Sequence, residues 1–279
     1  MSADTEKRSM VEHANLALFW GMHLAPLAVI LTGSNFVDWI VCIALYVARM
    51  FWITAGYHRY FSHRAFKTNR ISQFLLAFFA QTSVQKGVLW WASHHRFHHR
   101  YSDQHDDAHS PVQHGFWQAH CGWILSDKTS HVKWKYIKDL SKYPELVWLD
   151  KYHQIPAILL ALTCYLVGGW SMLLIGFVLS TVVLFHGTFT INSLSHIWGK
   201  RRFKTTDGSR NNFLLALITL GEGWHNNHHF FPHSARQGFF WKEIDITYYV
   251  LWFMRLFGVV RDMRPVPARI LQQRSVKAD

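Results

Sequence analysis

The stretch WWASHHRFHHRYSDQHDDAHS, residues 90–110, places six histidines within sixteen positions and directly after two tryptophans. Histidine changes charge near neutral pH, and burying its polar ring is costly unless the ring nitrogens have partners. A run of this density therefore indicates either a metal site or a pH-sensitive cluster, and the surrounding sequence decides how such a site would be positioned.

The apolar residues on either side of this stretch are gathered in blocks. Half of the 279 residues are hydrophobic, and four blocks approach the roughly 20 residues that a helix needs to cross the hydrocarbon core of a bilayer. We therefore expect an all-α membrane protein with four transmembrane helices, at residues 16–31, 36–56, 155–167 and 172–193.

The positive charges predict the orientation of these helices. The connections TGSN (32–35) and VGGWS (167–171) contain no lysine or arginine, whereas residues 56–70 and 196–212 and the tail from Arg255 are basic. Because cytoplasmic loops of membrane proteins are enriched in lysine and arginine, we expect two hairpins whose tips face outside. Both termini and every histidine cluster would then be cytoplasmic.

These features predict one domain over residues 1–279. Its membrane stem would be formed by about 16–56 and 155–193, and a helical cytoplasmic cap by about 57–154 and 194–265. The first apolar block lacks a small-residue cleavage site, which predicts an uncleaved span. We expect a multi-pass integral membrane protein, and a bacterial inner membrane rather than the endoplasmic reticulum.

Two shorter apolar stretches, residues 71–92 and 246–260, are interrupted by polar groups and are predicted to lie as helices at the membrane interface. The formal net charge of +12 does not indicate nucleic-acid binding, because the basic runs flank apolar blocks and no nucleic-acid module is present. The three cysteines form no CxxC pair, so neither a thiolate metal site nor a disulfide framework is predicted.

Four histidine clusters converge on the cytoplasmic side of this predicted topology. They are HRYFSH (58–63), HRFHH (95–99), NSLSH (192–196) and HNNHH (225–229). The second and fourth have i, i+3, i+4 spacing, which places the side chains on one face of a helix. The five-residue spacing of His58 and His63 predicts that the helix ends or bends between them.

This repeated spacing favours metal binding over a pH switch. All-imidazole ligation without thiolate suits iron, copper, zinc or nickel. Nine histidines exceed the positions of one ion, which implies two ions, and zinc does not exchange electrons. A membrane-bound diiron oxidase is the resulting hypothesis. Isolated histidines such as His23 and His120 are interpreted as interface anchors, and His186 as hydrogen-bonded to a neighbour.

With these four motifs, the chain resembles the membrane fatty-acid desaturases, most closely the stearoyl-CoA-type Δ9 enzymes. The resemblance runs from about residue 20 to residue 265. It implies one iron held by His58, His63, His95, His99 and His228. It implies a second iron held by His98, His196, His225 and His229, with Asn192 nearby and acting through a water. Gln85, Trp91 and Thr188 match positions that line the bend of the acyl tunnel.

The reaction implied by this resemblance is formation of a cis double bond, expected at Δ9, in a saturated long acyl chain, with O₂ reduced to two waters. Two of the four electrons come from outside the substrate. The sequence has no haem motif, cysteine cluster or dinucleotide loop, so a separate donor is expected: a ferredoxin, a rubredoxin, or cytochrome b5 with its reductase.

The substrate's carrier is the point where the sequence departs from the animal enzymes. The charged Arg-Asp pair that contacts CoA in those enzymes is replaced by Ser93 and His94. Acyl-CoA is the expected substrate because the other motifs are intact, and an acyl-phospholipid is the alternative. Two other functions stay open at this point: a membrane diiron hydroxylase or monooxygenase, and a metal-ion transporter, which would place its ligands near the bilayer midplane.

Overall fold

In the computed structural model, residues 9–273 are described, and they form helices joined by irregular loops. No strand forms among these residues, which have only three isolated β-bridges, so the all-α prediction is confirmed for this part of the chain. The helices of six residues or more are α1 (Met10–Leu24), α2 (Phe36–Phe51), α3 (Arg70–Gln81), α4 (Val88–Tyr101), α5 (Pro144–Lys151), α6 (Ile155–Ser171), α7 (Ser180–Asn192), α8 (Phe213–Ile218), α9 (His225–Phe230) and α10 (Ile246–Leu256).

Two longer π-helical segments and several short helical turns extend or connect these α-helices. The two π-helical segments matter for the site and the stem, because Trp52–Ser62 continues α2 and Met172–Leu179 joins α6 to α7. The remaining turns are Ala25–Ala28, Val29–Thr32, Pro111–His114, Gln118–Gly122, Trp123–Leu125, Asp127–Thr129, Trp134–Tyr136, Leu194–His196 and Ala268–Leu271.

The turn between α1 and α2 is built from the predicted TGSN connection. Gly33 has a φ of +70°, which a residue with a side chain rarely adopts. Asn35 then caps α2, since its side chain accepts from the N–H of Asp38 while Asp38 accepts from the N–H of Asn35. This capping box starts the helix sharply and reverses the chain.

Three helical segments of the described chain are long and apolar enough to cross a membrane: Met10–Thr32, Phe36–Ser62 and Ile155–His196. The third has 42 residues and contains both of the last two predicted spans. Gly169 within it has non-helical φ and ψ of +64° and −154°.

The chain folds back at Gly169. Ala157 and Phe177 are 20 residues apart, which would separate them by about 30 Å along one straight helix. Instead they belong to one apolar cluster and line the same cavity. The VGGWS connection therefore makes a hairpin, and the two arms present exposed apolar side chains outward, such as Leu166 on the first arm and Val183 on the second.

A buried arginine joins the two hairpins. Arg49 of α2 is 1% exposed, and its guanidinium donates to the hydroxyl of Thr181 on α7 at 2.6 Å and to that of Ser180. An arginine inside an apolar stem is stabilised only when its donors have such partners. These bonds hold α2 beside α7. The segments that follow the C-terminal ends of these two helices carry His58, His63 and His196.

Residues 71–92, predicted to lie as helix at the interface, form parts of two helices and not one continuous helix. The chain breaks at residues 82–87, where Val84 and Lys86 adopt positive φ, and a new helix, α4, starts at Val88. The carboxylate of Asp150 accepts from the N–H groups of Leu89 and Trp90 and so caps α4. The break turns the histidine-bearing helix away from α3.

Candidate metal centre

The nine predicted histidine ligands come from four segments that meet at one end of the apolar helices. His58 and His63 lie at the end of the π-helical extension of α2, and His196 lies just after α7. α4 contributes His95, His98 and His99, and α9 contributes His225, His228 and His229. Six of the nine are buried and the other three are partly buried.

The structure divides these histidines into two groups whose potential ligand atoms lie within 4.8 Å of one another. The five-histidine group is His58, His63, His95, His99 and His228, and the four-histidine group is His98, His196, His225 and His229. α4 and α9 each contribute to both groups. The i and i+4 histidines of each helix face one group and its i+3 histidine faces the other, so each triad is divided between the two groups.

The helix ends at Ser62, between His58 and His63, as the five-residue spacing predicts, and His63 is its C-cap. The N–H of His63 donates to the carbonyl of His58 at 3.2 Å, which is the i to i+5 bond of a π-helix. In this wider turn, residues five apart lie on the same side, and the two imidazole centroids are 4.8 Å apart. Directly after His63 the chain leaves the helical conformation, because Arg64 adopts a φ of +50°.

The chemistry of these imidazoles fits metal ions. Nε2 atoms of neighbouring rings face each other at 2.8 Å for His63 and His95 and at 3.0 Å for His196 and His225. His225 and His229 each also have a buried ring nitrogen without a hydrogen-bond partner. Inward-pointing lone pairs of this kind are stabilised when they share a cation.

Burial favours the neutral form that a metal requires in five of the site histidines. Desolvation, followed by repulsion from neighbouring imidazoles, lowers the pKa of five of them well below the usual value of 6.5. These are His63, His95, His99, His225 and His228. Neutral imidazole is the ligating species, so no proton has to be displaced from these five rings when an ion binds near pH 7.

Four carboxylates support the histidines from behind, and the sequence analysis missed them. In each case the carboxylate contacts Nδ1 of the ring. Asp107 lies 2.9 Å from Nδ1 of His98, Asp103 lies 2.8 Å from that of His196, and Asp207 lies 2.8 Å from that of His229. Glu222 contacts Nδ1 of His58. A carboxylate that accepts from Nδ1–H orients the ring and leaves Nε2 free as the ligand.

These carboxylates are ionised. Burial alone would raise the pKa of Asp103, but its hydrogen bond and charge interaction with His196 lower that pKa to about 2. The pKa values of Asp107, Asp207 and Glu222 are likewise lowered by their histidines despite burial. These four negative charges beside the nine histidines would balance the charge of two divalent cations.

The three predicted substrate residues lie together beside the five-histidine group. Gln85, Trp91 and Thr188 line one small cavity with His95 and Asn192. The amide of Gln85 donates to the hydroxyl of Thr188 at 2.7 Å, and Trp91 stacks on His95 with ring centroids 4.9 Å apart. Asn192, predicted near the second ion, is thus placed on the wall of this cavity.

A larger apolar cavity of about 390 Å³ adjoins the small one. The two share Ile124 and Phe189 as lining residues, and the larger cavity extends between α1 and the hairpin of α6 and α7. Its volume is within the roughly 300–1,000 Å³ of small-molecule sites. An apolar chain lying in it would reach the histidines by passing Phe189.

Other histidines in the structure have different roles. His186 bonds to both His23 and His120, at 2.9 and 3.0 Å, which agrees with the interpretation of His186 as hydrogen-bonded and gives His23 and His120 a half-buried partner as well. His94 donates to the carbonyl of His131 at 3.0 Å and belongs to neither histidine group.

In the described residues, long apolar helices and a carboxylate-supported cluster of nine histidines are the features of a membrane protein that can hold metal ions with histidine ligands. The chain belongs to the fatty acid desaturase family, whose model matches residues 34–263. The predicted resemblance is thereby confirmed, and the protein is an enzyme that desaturates fatty acyl chains.

The similar proteins differ in the carrier of the acyl chain. An sn-2 palmitoyl-lipid 9-desaturase of Nostoc sp. (strain 36) is 36% identical and covers 77% of each chain. An acyl-CoA C20 Delta5-desaturase of Anemone leveillei is 36% identical over 90% of this chain and 80% of its own length. An sn-1 stearoyl-lipid 9-desaturase of Anabaena variabilis is 32% identical over 95% of this chain and 98% of its own length.

Proposed function

We propose that this protein is an O₂-dependent diiron desaturase that introduces a cis double bond, at Δ9, into a saturated long acyl chain held in the bilayer. The observation that carries the proposal is the division of nine histidines into two adjoining groups, with Glu222 behind the five-histidine group and Asp103, Asp107 and Asp207 behind the four-histidine group. The names of the similar proteins favour desaturation over the hydroxylase and transporter alternatives.

The five-histidine group would hold one iron, and the four-histidine group, with Asn192 through a water, the other. When bound, the pair supplies the redox chemistry needed for O₂ reduction and for removal of hydrogen from an unactivated methylene. About two irons per chain by elemental analysis supports this assignment, and an active protein without metal contradicts it.

The protein's own residues position the acyl chain and exclude water. Removal of two hydrogens from adjacent methylenes, with two electrons and two protons from outside, reduces O₂ to two waters. The Gln85–Thr188 hydrogen bond closes one wall of the small cavity, and Trp91 forms another wall against His95. An apolar chain passing Phe189 would thus present its methylenes beside the histidines in a dry pocket.

The geometry favours a membrane lipid as the carrier of the acyl chain, although acyl-CoA is the substrate expected from the sequence. Ser93 and His94, which replace the charged pair of animal enzymes, are buried and bond within the protein, His94 to His131 and Ser93 to Trp90. Neither is directed at a soluble headgroup. The large cavity is lined by Leu18 and Ile158, both 61% exposed, so it borders the outer face of the stem.

The acyl-CoA alternative rests on the plant relative, which is as similar in sequence as the lipid desaturases. Purified enzyme with a reductant is supplied with labelled stearoyl-CoA or with labelled phosphatidylcholine, under conditions that prevent acyl transfer. Desaturation of the phosphatidylcholine chain alone supports the lipid assignment, and conversion of stearoyl-CoA alone overturns it while leaving the desaturase assignment intact.

The proposed topology has four spans in two hairpins, with the histidine site on the cytoplasmic side of a bacterial inner membrane. The hairpin at Gly169 supports the division of the 42-residue segment into two spans. Both termini, predicted to be cytoplasmic, lie outside the described residues. The electron donor is a separate protein, a ferredoxin, a rubredoxin or cytochrome b5, and the basic cytoplasmic face would attract an acidic carrier.

A further inference from the structure

A third cavity, of about 420 Å³, lies in the cap away from the acyl path. It shares no lining residue with the two cavities described above. Its walls are the segment just after His63, the first turn of α3, and residues 262–264. Two backbone hydrogen bonds between Lys67 and Arg261, each 2.7 Å, hold two of these walls together.

The charge of this cavity is predominantly positive. Arg64, Lys67 and Arg264 line it, against one lining carboxylate, Asp262, and Arg64 is also paired with Asp139 outside the lining. Lys67 pairs with Asp262 at 2.8 Å, but both side chains are mostly exposed, and an exposed pair of this type contributes little to stability and exchanges partners readily. Among the described residues, the guanidinium of Arg264 has no carboxylate partner.

A buried amide provides an independent indication of a ligand. Gln73 is 4% exposed and lines the cavity, and its Oε1 accepts from the hydroxyl of Tyr60 at 2.8 Å. Its Nε2 is buried without any hydrogen-bond partner. Rotating the amide would only exchange the unpaired donor for an unpaired acceptor. Because a buried polar atom without a partner is costly, turning this amide so that Nε2 meets an acceptor on a ligand in the cavity would remove that cost.

The position of the cavity indicates where the ligand comes from. α3 begins at Arg70, directly after one wall, and exposes the apolar side chains of Ile71 and Leu75. α10 ends at Leu256, shortly before another wall, and is followed by Phe257, which is 69% exposed. Two helices with exposed apolar faces thus flank the cavity, which places it at the depth of lipid headgroups if these faces lie in the membrane interface.

We propose that this cavity binds the phosphate group of a bilayer phospholipid. Arg264 and Lys67 would neutralise the phosphate, and the Nε2 of Gln73 would donate to one of its oxygens. Arginine and lysine with a preformed neutral donor are a typical phosphate-binding set. The bound lipid is separate from the substrate, because the cavity does not open on the acyl path.

The test uses the full-length protein in a neutral detergent and isothermal titration calorimetry. The probes are dihexanoyl-phosphatidylglycerol, inorganic phosphate, and dihexanoylglycerol, which lacks the phosphate. Saturable binding of the phospholipid without binding of dihexanoylglycerol is expected. Arg264→Gln should weaken that binding about tenfold or more, the size expected for one charge-assisted hydrogen bond, and so should Gln73→Glu, which keeps the acceptor for Tyr60.

Arg269→Gln is the matched control, because Arg269 is exposed on Ala268–Leu271 and does not line the cavity. Equal weakening by Arg269→Gln and Arg264→Gln would overturn the proposal in favour of general surface charge, and so would the absence of saturable binding to the wild type. Inorganic phosphate that binds as tightly as the lipid would uphold a phosphate site and overturn the lipid source. Desaturation and iron content, measured in the same variants, test the proposed function separately.

Discussion

Asp207→Asn is the substitution that most sharply separates the two histidine groups. One oxygen of Asp207 lies 2.8 Å from Nδ1 of His229, and the other accepts from the N–H of Ser209 at 2.9 Å. An asparagine that keeps the bond to Ser209 must turn its NH₂ toward His229. Two donors would then face each other, so His229 would have to move its proton to Nε2, the nitrogen that has no other partner.

The expected magnitude follows from this change of tautomer and from the lost charge. Loss of a carboxylate behind a ligating histidine typically reduces metal affinity 10- to 100-fold, or about 1.4–2.7 kcal/mol. The effect should be confined to the four-histidine group, to which His229 belongs. The assay is iron retained per chain during titration with a chelator, and it does not depend on turnover.

We expect wild-type protein to retain about two irons at a chelator concentration where Asp207→Asn retains about one. The control is Asp106→Asn, since Asp106 is exposed and contacts only His105, at 3.5 Å. If Asp207→Asn retains both irons at every chelator concentration, or if Asp106→Asn loses iron equally, then the carboxylate does not support the site in the way described.

Further predictions concern the ligands, the acyl path, the pH dependence and the topology. His98→Ala should abolish desaturation and reduce bound iron to about one per chain, whereas His94→Ala should retain both irons and most of the activity, as measured by elemental and product analysis. Thr188→Val keeps the volume but removes the acceptor for Gln85, and should shift the position or yield of the double bond in the product without changing iron content. The melting temperature of metal-free protein should fall as pH decreases below about 6.5. The reason is that histidines in the unfolded chain then bind protons, whereas the buried site histidines, whose pKa values are lowered, do not. A melting temperature that rises in this window contradicts their burial as neutral rings. Trypsin added to intact spheroplasts should leave the chain uncut near Arg100, and cleavage there would contradict the cytoplasmic orientation.

The sequence predicts the parts of this site that depend on spacing and hydropathy. The two short uncharged connections predict the turns at Gly33 and Gly169, because a glycine between two apolar blocks, without lysine or arginine beside it, is typical of a hairpin tip on the outer side. The i, i+3, i+4 spacing predicts that α4 and α9 are helices with histidines on a common side. It does not reveal which ring faces which group, because that depends on how the two helices cross.

Other parts depend on tertiary contacts that the sequence does not display. The π-helical turn before His63 has no compositional signature, and the break before α4 is stabilised by Asp150, which lies about 60 residues away. Asp103 and Asp207 resemble ordinary acidic loop residues until His196 and His229 are placed against them. Their one available signal was general: histidine ligands usually have carboxylate partners, and this chain has only 17 acidic residues to choose from.

The central claim is that this chain desaturates a saturated acyl chain at a two-iron site. It is tested most directly by expressing the protein in a desaturase-deficient host and analysing the host's fatty acids by mass spectrometry, with iron measured on protein purified from the same membranes. A new cis double bond in long saturated chains, together with about two irons per chain, is the predicted result. Hydroxylated or unchanged fatty acids in membranes that contain the iron-loaded protein and a functional electron donor would contradict it.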